Sequence, residues 1–269
     1  MLEASGAYAL RFEEAGGPAL YDEGLAGEPR YWPKTSVVAF FLSQAAADFA
    51  NHVLKEEGVD IGMRTVADEG WEGLARLAWQ PFAILDDLWI YPNDREAPAG
   101  CLAIHLDPGL AFGTGTHPTT RLCLQWLYRS LKERDAANTT VLDFGCGSGI
   151  LAITALRLGG ARALGIDIDP LALESAQHNA VRNGVAARMQ TRCPPLTADE
   201  RFDLVVANIL AEPLIAHKPT LDRALAVGGR LALSGILEDQ AERVRAAFPE
   251  FDLALTIDED WCLLEGGRR

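Results

Sequence analysis

The chain has 269 residues, 49% hydrophobic, 23% charged and 8% aromatic, and its 24 Lys and Arg against 38 Asp and Glu leave a net charge of −14. Such a chain holds one large or two ordinary domains and can bury a full core without disulfides or a structural metal, and its composition excludes disorder, collagen-like repeats and coiled coil. The acidic balance argues against bare DNA or RNA as the ligand, because phosphate-backbone recognition needs clustered Lys and Arg.

Residues 1–70 read as a small α+β unit. Phe40 to Leu54 carries apolar residues at helical spacing and runs out before Gly58, while Ala19–Tyr21 and Met63–Ala67 are short strand candidates. The intervening residues 22–34, rich in Gly, Pro and charge, read as loop. This unit holds twelve Asp and Glu against five Lys and Arg, a net −7 and half of the total charge. Trp71–Trp79 reads as a connecting helix that Pro81 terminates. Two β-rich runs follow, Phe82–Tyr91 and Cys101–Leu106, separated by the polar turn Pro92–Gly100. The expected division is a unit over 1–70, a linker region over 71–92 and a larger domain over 93–269. The tryptophans Trp71, Trp79 and Trp89 read as packing at the junction.

From Thr116 the pattern changes to helices alternating with buried strands. Thr116 reads as an N-cap with Pro118 in the first turn of a helix through Leu122, Leu124, Leu127 and Leu131. Strand Thr140–Phe144, helix Ile150–Leu158, strand Ala163–Asp167 and helix Pro170–Arg182 follow. Strand Leu204–Ala207, helix Pro213–Leu225, strand Arg230–Ser234 and helix Glu238–Phe248 continue the series. Phe251–Ile257 and Trp261–Leu264, joined by Asp258–Asp260, read as a terminal hairpin. The expected architecture is α/β and doubly wound, a mostly parallel sheet with one antiparallel strand. The cysteines Cys101, Cys123, Cys146, Cys193 and Cys262 are odd in number and contain no C-x-x-C pair, so no metal site or disulfide framework is expected. No run approaches ~18 apolar residues, and no basic-then-apolar leader follows Met1. The expectation is a cytoplasmic protein, monomeric and away from membranes.

The sharpest signal is Val141-Leu142-Asp143-Phe144-Gly145-Cys146-Gly147-Ser148-Gly149, at the turn from a buried strand into a helix. Such a turn is the switch point where doubly wound sheets bind ligands. Glycines permit the tight turn and the close approach of a ligand. Asp167 ends the next strand, where a carboxylate can accept both ribose hydroxyls of an adenosine. The spacing is G-x-G-x-G, with Ile150 in the place of the last glycine of a dinucleotide fingerprint, and Asp143 would sit poorly beside a pyrophosphate. It suits a cation such as the amino group of methionine, held directly or through water. The loop resembles that of class I S-adenosylmethionine-dependent methyltransferases, with a dehydrogenase or a non-catalytic relative as the alternatives.

A second run, Asp107-Pro108-Gly109-Leu110-Ala111-Phe112-Gly113-Thr114-Gly115-Thr116-His117-Pro118-Thr119-Thr120, feeds the capped helix. Together with Ala207-Asn208-Ile209-Leu210 it is similar to the bacterial methyltransferases of large-subunit ribosomal protein eleven. The resemblance also covers Trp79, Leu88-Trp89-Ile90, Asn179, Asn183-Gly184, Ser234-Gly235-Ile236-Leu237 and Trp261, and more loosely Glu13-Glu14-Ala15-Gly16. It implies a Rossmann-like methyltransferase domain behind a substrate-recognition domain. That recognition domain would begin a strand and most of a helix earlier than this chain has room for.

The resemblance implies cofactor contacts at Thr120, Gly145, Asp167 and Asn208, with Asp143 and Gly147 in the same shell and S-adenosylmethionine as cofactor. It implies methylation of lysine and N-terminal amines of the ribosomal protein, free or partly assembled. Another protein or a small-molecule amine as acceptor, or an inactive cofactor-binding module, stands as the alternative. Asn208 lies where related amino-methyltransferases carry Asn-Pro-Pro-aromatic, but Ile209 and Leu210 follow it here, which argues against a flipped base or a glutamine amide as target. Methyl transfer to an amine needs that amine neutral, which apolar surroundings such as Phe112 favour, and it then depends on positioning. Asn208 and Thr114 are the expected acceptors for the substrate amine. His117 reads as a helix-start residue before it reads as a base, Asp169-Pro170 as a helix start, and Cys146 as a small loop residue without thiol chemistry.

Overall fold

Residues Ala9–Glu14 (β1) pair antiparallel with Thr35–Phe40 (β2), from Ala9 opposite Phe40 to Glu14 opposite Thr35. Neither strand follows from the sequence reading above, which began a helix at Phe40; the β-branched residues Thr35, Val37 and Val38 are the signal it passed over. The structure, a computed structural model, describes residues 9–14, 35–40, 51, 81–92, 100–106 and 117–269. The strand candidates Ala19–Tyr21 and Met63–Ala67 and the connecting helix Trp71–Trp79 lie outside those residues, and of the helix expected over 40–54 only Phe40, which ends β2, and Asn51, which is helical, are described. The chain divides into two units, Met1–Gly70 and Trp71–Arg269.

Within the second unit the run expected at Phe82–Tyr91 is two strands. Phe82–Leu85 (β3) turns at Asp86-Asp87 and pairs antiparallel with Leu88–Pro92 (β4), because two adjacent carboxylates favour a solvated turn over a buried strand. Leu102–Leu106 (β5) lies parallel to β4. Leu88, Ile90, Ile104 and Leu106 are buried in the core that Leu122, Leu124 and Leu127 enter from Pro118–Lys132 (α1).

The main sheet has seven strands. In spatial order they are Phe251–Asp258 (β11), Trp261–Arg268 (β12), Leu225–Leu237 (β10), Phe202–Asn208 (β9), Thr140–Phe144 (β6), Arg162–Ile166 (β7) and Met189–Arg192 (β8). Every pairing from β10 to β8 is parallel, and β12 runs antiparallel to both of its neighbours. Side chains alternate between two cores as the pleat requires. Val141, Leu204, Val206 and Ala232 face one core, which Ile150–Arg157 (α2) and α1 cover, and Leu142, Phe144, Val205 and Leu231 face the other.

Several boundaries differ from expectation for identifiable reasons. Strand β8 is a polar edge segment, Met-Gln-Thr-Arg, with no hydrophobic signature. The helix expected over 213–225 is two short ones, Ala211–Ala216 (α4) and Lys218–Ala224 (α5), divided at His217; Pro219 has no N–H to continue the ladder. His117 and not Thr116 caps α1: its ring Nδ1 accepts the N–H of Thr119 at 3.4 Å. A turn of 3₁₀ helix, Glu238–Gln240, precedes Ala241–Ala247 (α6), and β10 is longer than anticipated at both ends. The remaining helix, Pro170–Arg182 (α3), has the expected bounds. Among the described residues no helix is long and apolar enough to cross a membrane.

One side chain ties the small sheet to the helical layer. Asn183, the residue that ends α3, accepts the His105 N–H at 2.9 Å and donates to the His105 carbonyl at 2.6 Å and the Asn179 carbonyl at 2.8 Å. Its carboxamide thus pairs with β5 as another strand would. Asn183→Ala removes all three bonds at a site only 4% exposed, and unfolding in urea will show a loss of about 2–4 kcal/mol.

Candidate functional site

Strand β6 leaves the sheet at Phe144 and the chain turns through Gly145, Gly147 and Gly149, with φ of +80°, +50° and +78°. These left-handed values are open to glycine at little cost and to other residues only under strain. The N–H groups of Gly145 and Cys146 both donate to the Ile166 carbonyl, at 2.7 and 3.0 Å, so the loop is fastened to the end of β7. The buried Asn179 amide of α3 donates to the Ser148 carbonyl at 3.0 Å and holds the far side of the same loop.

Asp167 follows β7 directly and is half-buried. One of its oxygens accepts the Gly147 N–H at 2.9 Å and the other the Asp169 N–H at 3.0 Å. Asp169 in turn caps α3 by accepting the Leu171 N–H at 2.9 Å, the helix start read from the sequence. Each Asp167 oxygen keeps a lone pair in hand, which suits a pair of hydroxyls.

Asp143 lies beneath the loop with no exposed surface. Its Oδ2 accepts the Ala152 N–H of α2 at 3.0 Å, and its Oδ1 is buried with no partner among the described residues. Burial pushes its carboxyl up to about 7, against the pull of the Ala152 hydrogen bond and with the nearby negative charge of Asp167 adding to the rise. A buried acceptor without a donor is where a cationic group finds its place. The chemistry of this carboxyl pair, one buried and one half-buried beside the glycine loop, fits S-adenosylmethionine.

Asn208 ends β9, two strands from Asp167. Its Nδ2 donates to Thr120 Oγ1 of α1 at 3.3 Å, and its Oδ1 is buried without a partner among the described residues. Ile209 spaces the strand ends: a Cβ on Gly145 would stand 2.3 Å from Ile209 Cγ2, and one on Gly235 would stand 2.4 Å from the Ile209 carbonyl oxygen. The space that a side chain on Gly145 would need is thus taken by Ile209, a second reason besides its φ for glycine at this position. Cys146 is buried against Gly165, where a Cβ would meet its Sγ at 2.9 Å, and burial raises its thiol far above the ordinary range, consistent with a packing role.

The start of α1 closes this end of the sheet. His117 packs edge-on against Trp261 with ring centroids 4.6 Å apart, and Arg121 reaches Asp258 in the turn between β11 and β12, with Nε 2.7 Å from the carboxylate. Burial lowers the His117 pKa, with Glu259 opposing, and its Nδ1 is engaged by Thr119, so the helix-start reading fits the geometry. The structure gathers Thr120, Asp143, Gly145, Gly147, Asp167 and Asn208 at the carboxyl ends of β6, β7 and β9. Thr114 and Phe112 lie outside the described residues. Sequence reasoning missed Ile209 as a spacer and Asn179 as a loop anchor; only the glycines facing Ile209 could have signalled the first.

The whole chain, residues 1–269, matches the family described as Ribosomal protein L11 methyltransferase (PrmA). It is 42% identical over 274 aligned residues to the ribosomal protein L11 methyltransferase of Escherichia coli (strain 55989 / EAEC), across 98% of this chain and 92% of that one. The enzyme of the same name from Escherichia fergusonii aligns at the same 42%. Among solved structures, the ribosomal protein L11 methylase from Lactobacillus delbrueckii subsp. bulgaricus superposes with a TM-score of 0.65 at 34% identity, over 71% of this chain and 100% of that one.

The Asp143 carboxyl makes stability pH-dependent in a stated direction. Its pKa is raised on folding, so the folded state binds the proton more tightly, and stability is lost as pH rises from about 4 towards 7. Replacing the carboxyl by a neutral amide abolishes this loss. Urea titrations of Asp143→Asn and the parent across this range will show the variant gaining on the parent up to about pH 7 and keeping a constant difference above it.

Proposed function

Because the chain belongs to the ribosomal protein L11 methyltransferase family, we propose that it transfers methyl groups from S-adenosylmethionine to lysine side-chain and N-terminal amines of ribosomal protein L11. The fold is that of the class I methyltransferases, and S-adenosylmethionine is the cofactor. The observation that carries the reading of the site is the buried, unpartnered Oδ1 of Asn208 at the end of β9, beside the glycine loop.

Bound S-adenosylmethionine supplies an electrophilic methyl on a sulfonium. Asp167 would hold the ribose hydroxyls and Asp143 Oδ1 the ammonium, directly or through water, while Gly145, Gly147, Thr120 and Asn208 complete the lining. Asn208 Oδ1 accepts an N–H of the neutral substrate amine and aligns its lone pair with the methyl. Thr114 is the second acceptor in this reading. In-line transfer from a sulfonium to an amine requires no base at the moment of displacement, so the rate comes from alignment and from desolvation of the amine.

Residues 1–70 serve as the substrate-recognition domain, 71–92 as the linker region and 93–269 as the catalytic domain. Half of the net charge of −14 lies in that first segment, which suits a basic protein partner and disfavours nucleic acid. The enzyme works as a cytoplasmic monomer on the free or partly assembled ribosomal protein.

Incubation of purified ribosomal protein L11 with enzyme and S-adenosylmethionine will give mass increments of whole methyl groups on lysine and the N-terminus, read by peptide mass spectrometry; an unmodified protein would end this reading. Raising salt will weaken binding of the protein substrate more than binding of the cofactor, since charge steering is screened within a Debye length of about 8 Å at physiological ionic strength. Equal salt dependence of the two, measured by calorimetry, would remove the acidic segment from recognition.

A further inference from the structure

We propose that Thr120 is a positioning residue for methyl transfer: its hydroxyl anchors the Asn208 carboxamide, whose Oδ1 faces the incoming amine. The inference rests on the role given to Asn208 above.

Both partners stand on fixed backbone. Thr120 is 3% exposed in the first turn of α1, where its N–H and that of Arg121 donate to the His117 carbonyl at 3.0 and 3.1 Å. The neighbouring Arg121 holds that turn to Asp258, and His117 holds it to Trp261. On the other side the Ile209 N–H donates to the Ser234 carbonyl at 3.1 Å, and Ile209 is wedged between Gly145 and Gly235. What remains free is rotation of the amide group about its last bond.

The two ends of a carboxamide have nearly the same shape and opposite polarity. A neutral amine offers N–H groups and one lone pair, and the lone pair must stay open to attack the methyl. Oδ1 accepts an N–H and leaves the lone pair free. A flipped amide would set an N–H donor against that lone pair and occupy it. The bond from Nδ2 to Thr120 Oγ1 at 3.3 Å anchors the amide with Oδ1 outward. A hydroxyl can also donate, so this bond fixes the place of the amide, and the N–H groups of the amine select the Oδ1-facing orientation. Oδ1 is left buried with no partner among the described residues, an unfavourable state that a substrate N–H relieves.

Thr120→Val keeps the side-chain shape and removes the hydroxyl; Thr120→Ser keeps the hydroxyl. With ribosomal protein L11 as acceptor, the valine variant will lose about tenfold or more in kcat, a larger loss than its loss of affinity for S-adenosylhomocysteine, and serine will recover most of it. In an Asn208→Ala background the valine substitution will cost nothing further, because the hydroxyl acts through the amide. Thr120→Ala lacks the same hydroxyl and is read in the same way should the valine variant fold poorly by circular dichroism. The proposal is overturned if kcat survives in Thr120→Val while Asn208→Ala is impaired, if only affinity for S-adenosylhomocysteine falls, or if the two losses multiply. An unimpaired Asn208→Ala would instead remove the role of Asn208 itself, and this inference with it.

Discussion

The spacing of three strand ends around Ile209 is the contact on which the site depends. Its Cγ2 occupies the place of a side chain on Gly145 and its carbonyl the place of one on Gly235, so β6, β9 and β10 meet at this one residue. A larger gap would let the glycine loop sag away from Asn208, and any side chain on either glycine would drive the strands apart. Close-packed interiors have no slack to absorb such a change. The glycines here answer to a hydrophobic neighbour in the chain itself as well as to backbone φ.

Below that contact lies an electrostatic arrangement with opposing demands. Asp143 is deprived of water, and Asp167, its neighbour across the loop, keeps partial exposure and two backbone donors. The buried carboxyl is thereby drawn towards neutrality, while the outer one accepts two backbone N–H groups. Two acids of the same type, at the ends of adjacent parallel strands, thus differ in solvent access and in backbone donors.

The local sequence carried much of this fold. Apolar strands such as Leu204–Ala207 and the proline-started helix at Pro170 announce themselves through composition and cap chemistry within a dozen residues. The glycine loop and the acid at the next strand end likewise identify the ligand end of the sheet. What remained illegible is long-range. The Asn183 carboxamide pairs with His105 across 78 residues of sequence, and nothing near either residue specifies the other. Strand β8 is polar because an edge strand needs little apolar surface, so it reads as loop. The wedge of Ile209 was hidden because an aliphatic residue after Asn208 looks like a missing motif until its packing partners are known.

The reversed direction of β12 has a consequence for how this protein comes into being. In a wholly parallel sheet the carboxyl end is furnished by residues that leave each strand, but an antiparallel strand brings its beginning there instead. Trp261 starts β12 and Asp258 ends β11, and these two meet His117 and Arg121 at the mouth of the site. The segment latest in the sequence therefore completes the frame around residues more than a hundred positions earlier. A nascent chain emerging from the ribosome has its glycine loop, both carboxylates and Asn208 in hand long before that frame exists. Assembly of the site is a late event in synthesis, and a chain cut short in its final strand loses an end wall of the site together with an edge of its sheet.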